Sequence, residues 1–211
     1  MSTKPTLLLL GAGGHARACI DVIEQEGRFL VAGLVGLSDQ VGTDILGYPV
    51  LGTDEHIAAV LGDHQHALVA VGQIKTPELR IRLFGLLQQC AVTLPVIVSP
   101  RAYVSRHATV APGTIVMHGA VVNAGAVVGR NCIINSQSLV EHDAVIADHC
   151  HIATAAVINS GVTIAEATFI GSNVCIRQGI RIGEHSVIGM GQRVIVDCAA
   201  GTWMPAAASR S

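Results

Sequence analysis

Valine and isoleucine recur at every sixth position through the second half of the chain. From Val98 to Val194, steps of six meet only these two residues, seventeen times in succession. The residue four places further along is usually small, as at Ala102, Ala108 and Thr114. One branched and one small inward-facing residue per hexapeptide is typical of a parallel β-helix, in which three short faces make one coil. The sixteen steps therefore predict five coils and a part.

The first 95 residues carry a different pattern, in which buried strands alternate with amphipathic helices. A strand, a glycine turn and a helix are predicted over residues 6–26, further strands over 29–36 and 67–72, and a helix over 76–90. This alternation indicates a small Rossmann-like α/β domain with a parallel sheet. We therefore predict an α/β domain at residues 1–95, a β-helix at 96–197 and a C-terminal tail at 198–211 that packs through Trp203.

Composition narrows the possible partners to small molecules. A formal charge of −2 without a run of Lys or Arg offers no electrostatic surface to nucleic acid or anionic lipid. No stretch of about 18 apolar residues occurs, and the apolar run at residues 7–10 meets glycine at once, so neither a transmembrane helix nor a signal peptide is expected. The six cysteines lack CxxC spacing, which predicts reduced thiols in a cytoplasmic protein and no metal site.

A glycine-rich turn follows the first predicted strand. Gly11, Gly13 and Ala16 fit the pattern G-x-G-x-x-A, which brings backbone N–H groups close to a phosphate. A dinucleotide site also expects an acidic residue about 20 positions later, where Gly36 and Leu37 stand instead. The pattern therefore favours a sugar linked to a nucleoside diphosphate over NAD. His15 begins the helix, and the sequence leaves open whether it lines this pocket or faces solvent.

His142 and Asp143 stand together at a turn between two hexapeptides. Asp143 can accept a hydrogen bond from one imidazole nitrogen and so make the other nitrogen a better base. With eighteen residues per coil, Ser160 lies over His142, about 4.8 Å away. The backbone at Ser160 and Gly161 is thus placed to offer an N–H to an oxyanion. Other histidines also occupy turns and receive no role here: His107, His118, His149 and His185.

The segment INSQSLVEHDAVIADHCHIATAAVI and the turn GAGGHA resemble the sialic acid O-acetyltransferase (NeuD) family, which includes bacterial nucleotide-sugar N-acetyltransferases of the PglD type. The resemblance spans nearly the whole chain and implies a left-handed β-helix. It also implies a homotrimer that holds acetyl-CoA between adjacent β-helices.

Residue by residue, the resemblance makes His142 the general base and Asp143 its support. It places Asn135 and His151 in the same site, with His151 bonding the acetyl or thioester group of acetyl-CoA. Gly11, Gly14 and His15 match the family's G-x-x-G-H turn for the sugar nucleotide. Two positions depart from the family: Ser160, where relatives commonly have glycine over the base, and the Gly36-Leu37 pair, where relatives that bind UDP-sugars usually have acids.

These observations together predict an acetyl-CoA-dependent N-acetyltransferase acting on a nucleotide-linked amino sugar. On the resemblance, that sugar is a 4-amino-4,6-dideoxy sugar used for surface glycans or nonulosonic acids. Two alternatives remain. O-acetylation of a sialic-type sugar keeps the site and changes the nucleophile, whereas a non-catalytic nucleotide-sugar-binding scaffold would bind ligand at the glycine turn without CoA.

Overall fold

The computed structural model describes residues 4–206, and the α/β domain comes first. Its five-stranded sheet has the order β3-β4-β2-β1-β5 and is parallel except for the β3–β4 pair. The strands are β1 (Thr6–Leu10), β2 (Leu30–Val35), β3 (Asp44–Ile45), β4 (Tyr48–Gly52) and β5 (Ala67–Val69). The helices are α1 (Gly14–Glu26), α2 (Ile57–Leu61) and α3 (Glu78–Gln89), with short 3-10 turns at Ser38–Gln40 and Asp54–His56.

Strand β1 forms the centre of this domain. Leu7, Leu8, Leu9 and Leu10 are all fully buried, as expected for a parallel strand covered on both faces. Helix α1 packs on one side and ends at Gly27, whose φ of 71° is the left-handed conformation that glycine adopts without strain.

The hairpin β3–β4 was not predicted from the sequence. Ile45 pairs with Tyr48 across a two-residue turn, and both turn residues, Leu46 and Gly47, have positive φ. Such turns suit the twist of a hairpin, and their two central residues are usually Asn-Gly or Asp-Gly. Because Leu46 stands in place of Asn or Asp, the sequence does not predict this hairpin.

The remaining strands form a three-sided coil of two-residue strands. Face 1 has the order β23-β21-β18-β15-β12-β9-β6, face 2 the order β22-β19-β16-β13-β10-β7 and face 3 the order β20-β17-β14-β11-β8, each built from parallel pairs. The bounds are β6 Ile97–Val98, β7 Tyr103–Val104, β8 Thr109–Val110, β9 Ile115–Val116, β10 Val121–Val122, β11 Val127–Val128, β12 Ile133–Ile134, β13 Leu139–Val140, β14 Val145–Ile146, β15 His151–Ile152, β16 Val157–Ile158, β17 Thr163–Ile164, β18 Phe169–Ile170, β19 Cys175–Ile176, β20 Arg181–Ile182, β21 Val187–Ile188, β22 Arg193–Val194 and β23 Trp203–Met204.

The predicted fold class is confirmed: a small α/β domain followed by a left-handed parallel β-helix. The second residue of most two-residue strands points inward, and from Val116 to Val194 these Val and Ile side chains form one buried core with the small residues between them. Three of the six cysteines, Cys19, Cys132 and Cys150, are buried among apolar side chains, and all six are free thiols.

The corners of the coil repeat a backbone conformation that the sequence analysis did not identify. From Gly113 to Gly191, every sixth residue has φ between 52° and 76°. Gly, Asn and Asp tolerate this left-handed conformation best, and they fill most of these positions. Asp143, with φ of 59°, occupies one of them.

The α/β domain packs against the outside of face 1. Ile97, Ile115 and Ile133 point outward from that face and share a buried core with helix α1. Polar contacts join the two domains as well, including a 2.7 Å bond between His118 Nε2 and Asp21 Oδ2.

Strand pairing continues into the segment predicted to be a tail. Trp203 and Met204 form β23, which pairs with β21 at the end of face 1. The Trp203 side chain does not pack as predicted, because it is 61% exposed. The last predicted tail residues, 207–211, lie outside the described residues.

Candidate active site

His142 lies at the corner between faces 2 and 3, in the turn that joins β13 to β14. Its Nδ1 is 2.8 Å from Asp143 Oδ2, and its Nε2 is 2.8 Å from Ser160 Oγ. Because a carboxylate only accepts hydrogen bonds, Nδ1 carries a proton, and in the neutral ring Nε2 then presents a lone pair. The Ser160 hydroxyl therefore donates to Nε2. We name His142, Asp143 and Ser160 the His142 corner.

The Asp143 carboxylate has room because of a glycine on the rung below. A Cβ added to Gly125 would clash with Asp143 Oδ1. Gly125 itself has φ of 76°, so glycine is favoured there for conformation as well as for space. No local pattern in the sequence distinguishes Gly125 from the other glycines of the repeat.

Glu141 completes the support of His142 and was also missed. Its Oε2 accepts hydrogen bonds from the His142 backbone N–H at 3.1 Å and from Asn123 Nδ2 at 3.0 Å. These bonds tie the turn that carries His142 to the rung below. Glu141 lies in the segment that carries the family resemblance, but an acid at a turn gives no signal of such a role by itself.

The rung above His142 is placed as predicted, with one difference in its hydrogen bonds. The Gly161 N–H donates to the carbonyl oxygen of His142 at 3.1 Å, so it takes part in the ladder of the coil. Among the described residues, the Ser160 N–H has no hydrogen-bond partner. Of the two predicted oxyanion donors, Ser160 N–H is thus the one left free.

The glycine turn borders a cavity of about 290 Å³ in the α/β domain. Gly11, Gly13, Gly14 and His15 all line it, at the N-terminus of α1. The helix has no acidic residue in its first turn and no side-chain cap, so its first N–H groups are available to an anion. The sequence therefore located this pocket, and the structure places His15 on its wall, a point that the sequence left open.

Two charged residues of the same cavity were not predicted. Arg82 Nη2 forms a 2.6 Å ion pair with Asp54 Oδ2, and both residues line the cavity wall. Gln40 lines the wall beside Gly36 and Leu37, where its Oε1 accepts a 2.9 Å hydrogen bond from the Leu37 N–H. Asp39, the acid nearest to Gly36 and Leu37 in the sequence, does not line the cavity.

His15 is held in its neutral form at the edge of the cavity. Burial, assisted by the charge of Arg80 and by His151, lowers the pKa of His15 to about 3. Its Nε2 is buried and has no hydrogen-bond partner among the described residues. A ligand hydroxyl or N–H at this point would satisfy that nitrogen.

His151 faces the α/β domain from β15 on face 1. Its Nδ1 is 2.6 Å from the backbone oxygen of Gln73, and its Nε2 is 3.1 Å from Asn135 Nδ2. A carbonyl oxygen only accepts, so Nδ1 carries the proton and Nε2 accepts from Asn135. Burial lowers the pKa of His151 to about 4. We name His15, Gln73, Asn135 and His151 the interdomain cluster.

The predicted contact between His151 and the acyl group of acetyl-CoA stays a prediction. In this chain the His151 side chain is buried and both ring nitrogens are bonded within the protein. In the tautomer that Gln73 imposes, Nε2 is an acceptor, so it cannot donate to a carbonyl oxygen. Any donor to the acyl group on this side would have to come from elsewhere, or the ring would have to change its tautomer.

A buried arginine, Arg80, lies beneath the interdomain cluster, and its burial was not predicted from the sequence. Arg80 is 1% exposed and donates to the backbone oxygens of Val69 and Val71 and to both oxygens of Asn131. Burial lowers its pKa to about 10, which leaves it charged at neutral pH. Its charge helps to keep His15 and His151 neutral.

The structure thus assembles the predicted residues into two groups on different sides of the coil. The α/β domain, with its glycine turn, covers face 1, and Asn135 and His151 lie against it. The His142 corner joins faces 2 and 3, which places it opposite face 1.

Residues 4–206 contain no group of three or more His, Cys, Asp or Glu side chains arranged to hold a metal ion. No helix in this range is both long and apolar enough to cross a membrane.

Comparisons with known proteins agree with this two-part architecture. The PglD N-terminal domain family matches residues 6–84. No curated protein sequence matches the chain. Among solved structures, a mutant of perosamine N-acetyltransferase from Caulobacter crescentus, in complex with CoA and GDP-perosamine, is 26% identical with a TM-score of 0.87, over 95% of this chain and 93% of that chain.

Two other structures are similar over nearly the whole chain. The acetyltransferase domain of PglB from Neisseria gonorrhoeae FA1090, in complex with acetyl coenzyme A, is 29% identical with a TM-score of 0.86, over 95% of this chain and 96% of that chain. WeeI from Acinetobacter baumannii AYE, 22% identical with a TM-score of 0.83 over 94% and 95%, shares the fold. Residues 6–84 thus match the PglD N-terminal domain family, and the chain resembles the sugar acetyltransferases from C. crescentus and N. gonorrhoeae over nearly its whole length.

Proposed function

We propose that the protein transfers the acetyl group of acetyl-CoA to the amine of a nucleotide-linked amino sugar, with His142 as general base. The observation that carries the proposal is the geometry of His142. Its Nδ1 is hydrogen-bonded to Asp143, and the lone pair on its Nε2 accepts a hydrogen bond from the Ser160 hydroxyl. An imidazole with one nitrogen fixed by a carboxylate is suited to take a proton from an attacking amine through its other nitrogen. The similar structures from C. crescentus and N. gonorrhoeae contain CoA with GDP-perosamine and acetyl coenzyme A respectively.

The glycine turn is the proposed site for the nucleoside diphosphate. The free N–H groups at the start of α1 and the nearby Arg82 suit its phosphates. The absence of an acid at Gly36 and Leu37 leaves Gln40 as the polar side chain beside the proposed base position. A 4-amino-4,6-dideoxy sugar is the proposed acceptor, on the strength of the GDP-perosamine in the similar structure.

We propose further that each active site is shared between chains of a homotrimer. The glycine turn and the His142 corner of one chain lie on different sides of its coil. The side chains of His142 and Asp143 are 58% and 71% exposed, so a single chain does not exclude water from them. A neighbouring chain packed on this corner would both cover it and bring an acceptor to it. In this arrangement residues 1–95 bind the acceptor and residues 96–197 perform the transfer, in the cytoplasm where acetyl-CoA is made.

The test is release of free CoA thiol from acetyl-CoA, with UDP- and GDP-linked 4-amino sugars and with sialic acids as acceptors. We expect turnover on a nucleotide-linked amino sugar and a loss of about 10²-fold or more in His142→Ala, the scale of a lost general base. His107→Ala is the matched control, because His107 lies at the corner between the same two faces and bonds only Arg106 through its side chain.

Other outcomes would select the alternatives. Turnover confined to free or CMP-linked sialic acid would identify O-acetylation, with a hydroxyl in place of the amine. Nucleotide-sugar binding without CoA binding or thiol release, unchanged in His142→Ala, would identify a non-catalytic scaffold.

A further inference from the structure

We propose that Ser160 is a nucleophile, so that the acetyl group passes through an acetyl-serine intermediate instead of moving directly from CoA to the acceptor. This inference rests on the proposed acetyl-CoA-dependent function. Its starting point is the chain of contacts at the His142 corner, in which Ser160 Oγ is 2.8 Å from His142 Nε2 and Asp143 Oδ2 is 2.8 Å from His142 Nδ1. A serine, a histidine and a carboxylate in hydrogen-bond sequence are the arrangement that activates a hydroxyl for acyl transfer.

The direction of the hydrogen bonds is the one that such activation requires. Asp143 fixes the proton on Nδ1, so Nε2 is the acceptor and the Ser160 O–H is the donor. The proton that the base would remove is therefore already directed at it. In a direct transfer the acceptor amine would have to displace Ser160 from Nε2 before it could use the base.

The backbone beside Ser160 supplies the second requirement of acyl transfer. Gly161 N–H is bonded to the oxygen of His142, whereas Ser160 N–H has no partner in residues 4–206. The N–H of the nucleophilic residue itself is a suitable donor to the oxyanion that forms on the attacked carbonyl. The corner thus contains a nucleophile, a base, an orienting acid and an oxyanion donor within two adjacent rungs.

The first half-reaction forms the ester. His142 Nε2 takes the hydroxyl proton as Ser160 Oγ bonds to the thioester carbon, and the carbonyl electron pair moves to oxygen, facing Ser160 N–H. The intermediate collapses, the C–S bond breaks, and the proton on Nε2 passes to the departing thiolate. The products are acetyl-Ser160 and free CoA thiol.

The second half-reaction regenerates the serine. The sugar amine attacks the ester carbon and loses a proton to His142 Nε2. The bond between the acetyl carbon and Oγ then breaks, and the same proton returns to Oγ. Water in place of the amine would give acetate, so a slow hydrolysis of acetyl-CoA is expected when no acceptor is present.

The experiment mixes the whole protein with acetyl-CoA labelled in the acetyl group, without acceptor, and quenches rapidly in acid. We expect a burst of about one CoA thiol per chain and an acetyl ester on the peptide that contains Ser160, removable by hydroxylamine. Adding the amino sugar before the quench should move the label to the sugar. Ser160→Ala and His142→Ala should abolish the burst and reduce turnover at least about 10²-fold.

Ser172→Ala is the matched control, because Ser172 holds the same position in its hexapeptide at another corner and makes no side-chain hydrogen bond in the described range. It should keep both burst and turnover.

Ser160→Gly separates this proposal from the proposed function. If the native protein turns over while Ser160→Gly keeps its rate and no acetyl-serine forms, transfer is direct and only the intermediate is overturned. If neither burst nor turnover occurs with any acceptor and CoA does not bind, the proposed function itself has failed. Folding of each variant is checked by its oligomeric state and its unfolding transition.

Discussion

Two groups of polar residues in this protein each contain histidine, yet they place it in opposite environments. At the His142 corner the ring is more than half exposed and bonds one carboxylate and one hydroxyl. In the interdomain cluster His151 is buried, bonds a backbone oxygen and an amide, and has its pKa lowered to about 4 by burial. The same side chain is thus open to solvent in one place and held neutral by burial in the other.

The difference arises from what covers each part of the coil. His142 and His151 are nine residues apart, so the repeat puts one at a corner and the other on a face. The α/β domain then covers that face and leaves the corner open. In the proposed trimer a neighbouring chain would cover His142, whereas the α/β domain of the same chain already covers His151 and bonds it through Gln73.

Mixing two impaired variants, assayed at an acceptor concentration far below the KM, tests whether the two groups meet across chains, and it has the largest expected effect. His142→Ala removes the base, and Gly13→Asp places a carboxylate where the phosphates of the acceptor would bind. Dissociating and reassembling an equal mixture should restore about one quarter of the native rate, because one site in four combines an intact turn with an intact base. A rate no higher than that of the parents would mean that each chain builds its own site.

Variants at Gly13 test whether the glycine turn of the α/β domain binds an anion. Gly13 caps α1 without a side-chain hydrogen bond, and a Cβ there would meet no atom within 4 Å. Asp and Ser are both good N-caps, so Gly13→Asp and Gly13→Ser should both fold as well as the native protein. Only Gly13→Asp should raise the KM for the nucleotide sugar, by about 10-fold or more, since it repels the diphosphate. Equal KM values for the two variants would argue against an anion at this turn.

A substitution beneath Asp143 tests the His142 corner without touching its residues. In Gly125→Ala the new Cβ displaces the Asp143 carboxylate, which should lower kcat by about 10-fold or more because His142 loses its fixed tautomer. Gly179→Ala is the control at a corner between the same faces, with a similar φ of 71° and no atom within 4 Å of the added Cβ. Equal losses in steady-state kinetics would point to backbone strain as the cause.

The pH dependence of stability tests the interdomain cluster and has the smallest expected effect. The pKa values of His15 and His151, lowered to about 3 and about 4, lie below the value of about 6.5 in the unfolded chain. The unfolded state therefore binds more protons as the pH falls below 6.5, and stability present above that pH is lost on the way down. Each histidine contributes a slope of up to about 1.4 kcal/mol per pH unit.

Urea unfolding between about pH 7.5 and 5 measures this slope. His151→Gln should flatten it relative to the native protein, whatever its effect on stability at neutral pH. His107→Gln, at an exposed turn, should leave the slope unchanged. A slope unaffected by His151→Gln would mean that the ring is not held neutral by its burial.

The sequence placed the repeat, the glycine turn and the His142–Asp143 pair correctly in the fold, because each has a local signal. A period of six fixes which residue points inward and which residues stack. Because three hexapeptides make one coil of eighteen residues, the sequence places Ser160 directly over His142. The hairpin at Leu46 and the support from Glu141 and Gly125 had weaker signals or none. Their roles depend on the exact shape of two turns, which residue types alone do not specify.

The period of the coil, the order of the two domains and the chemistry available at each turn can all be read from the sequence. Three features emerge only in the folded chain: the α/β domain covers face 1, Arg80 is buried beneath it with Asn131, and His151 is thereby neutral and bonded to Gln73. The physical reason is that hydrophobic periodicity reports which side of an element faces a core, since burial repeats with the backbone geometry. It does not report which surface of another domain supplies that core, because such contacts join residues far apart in the chain.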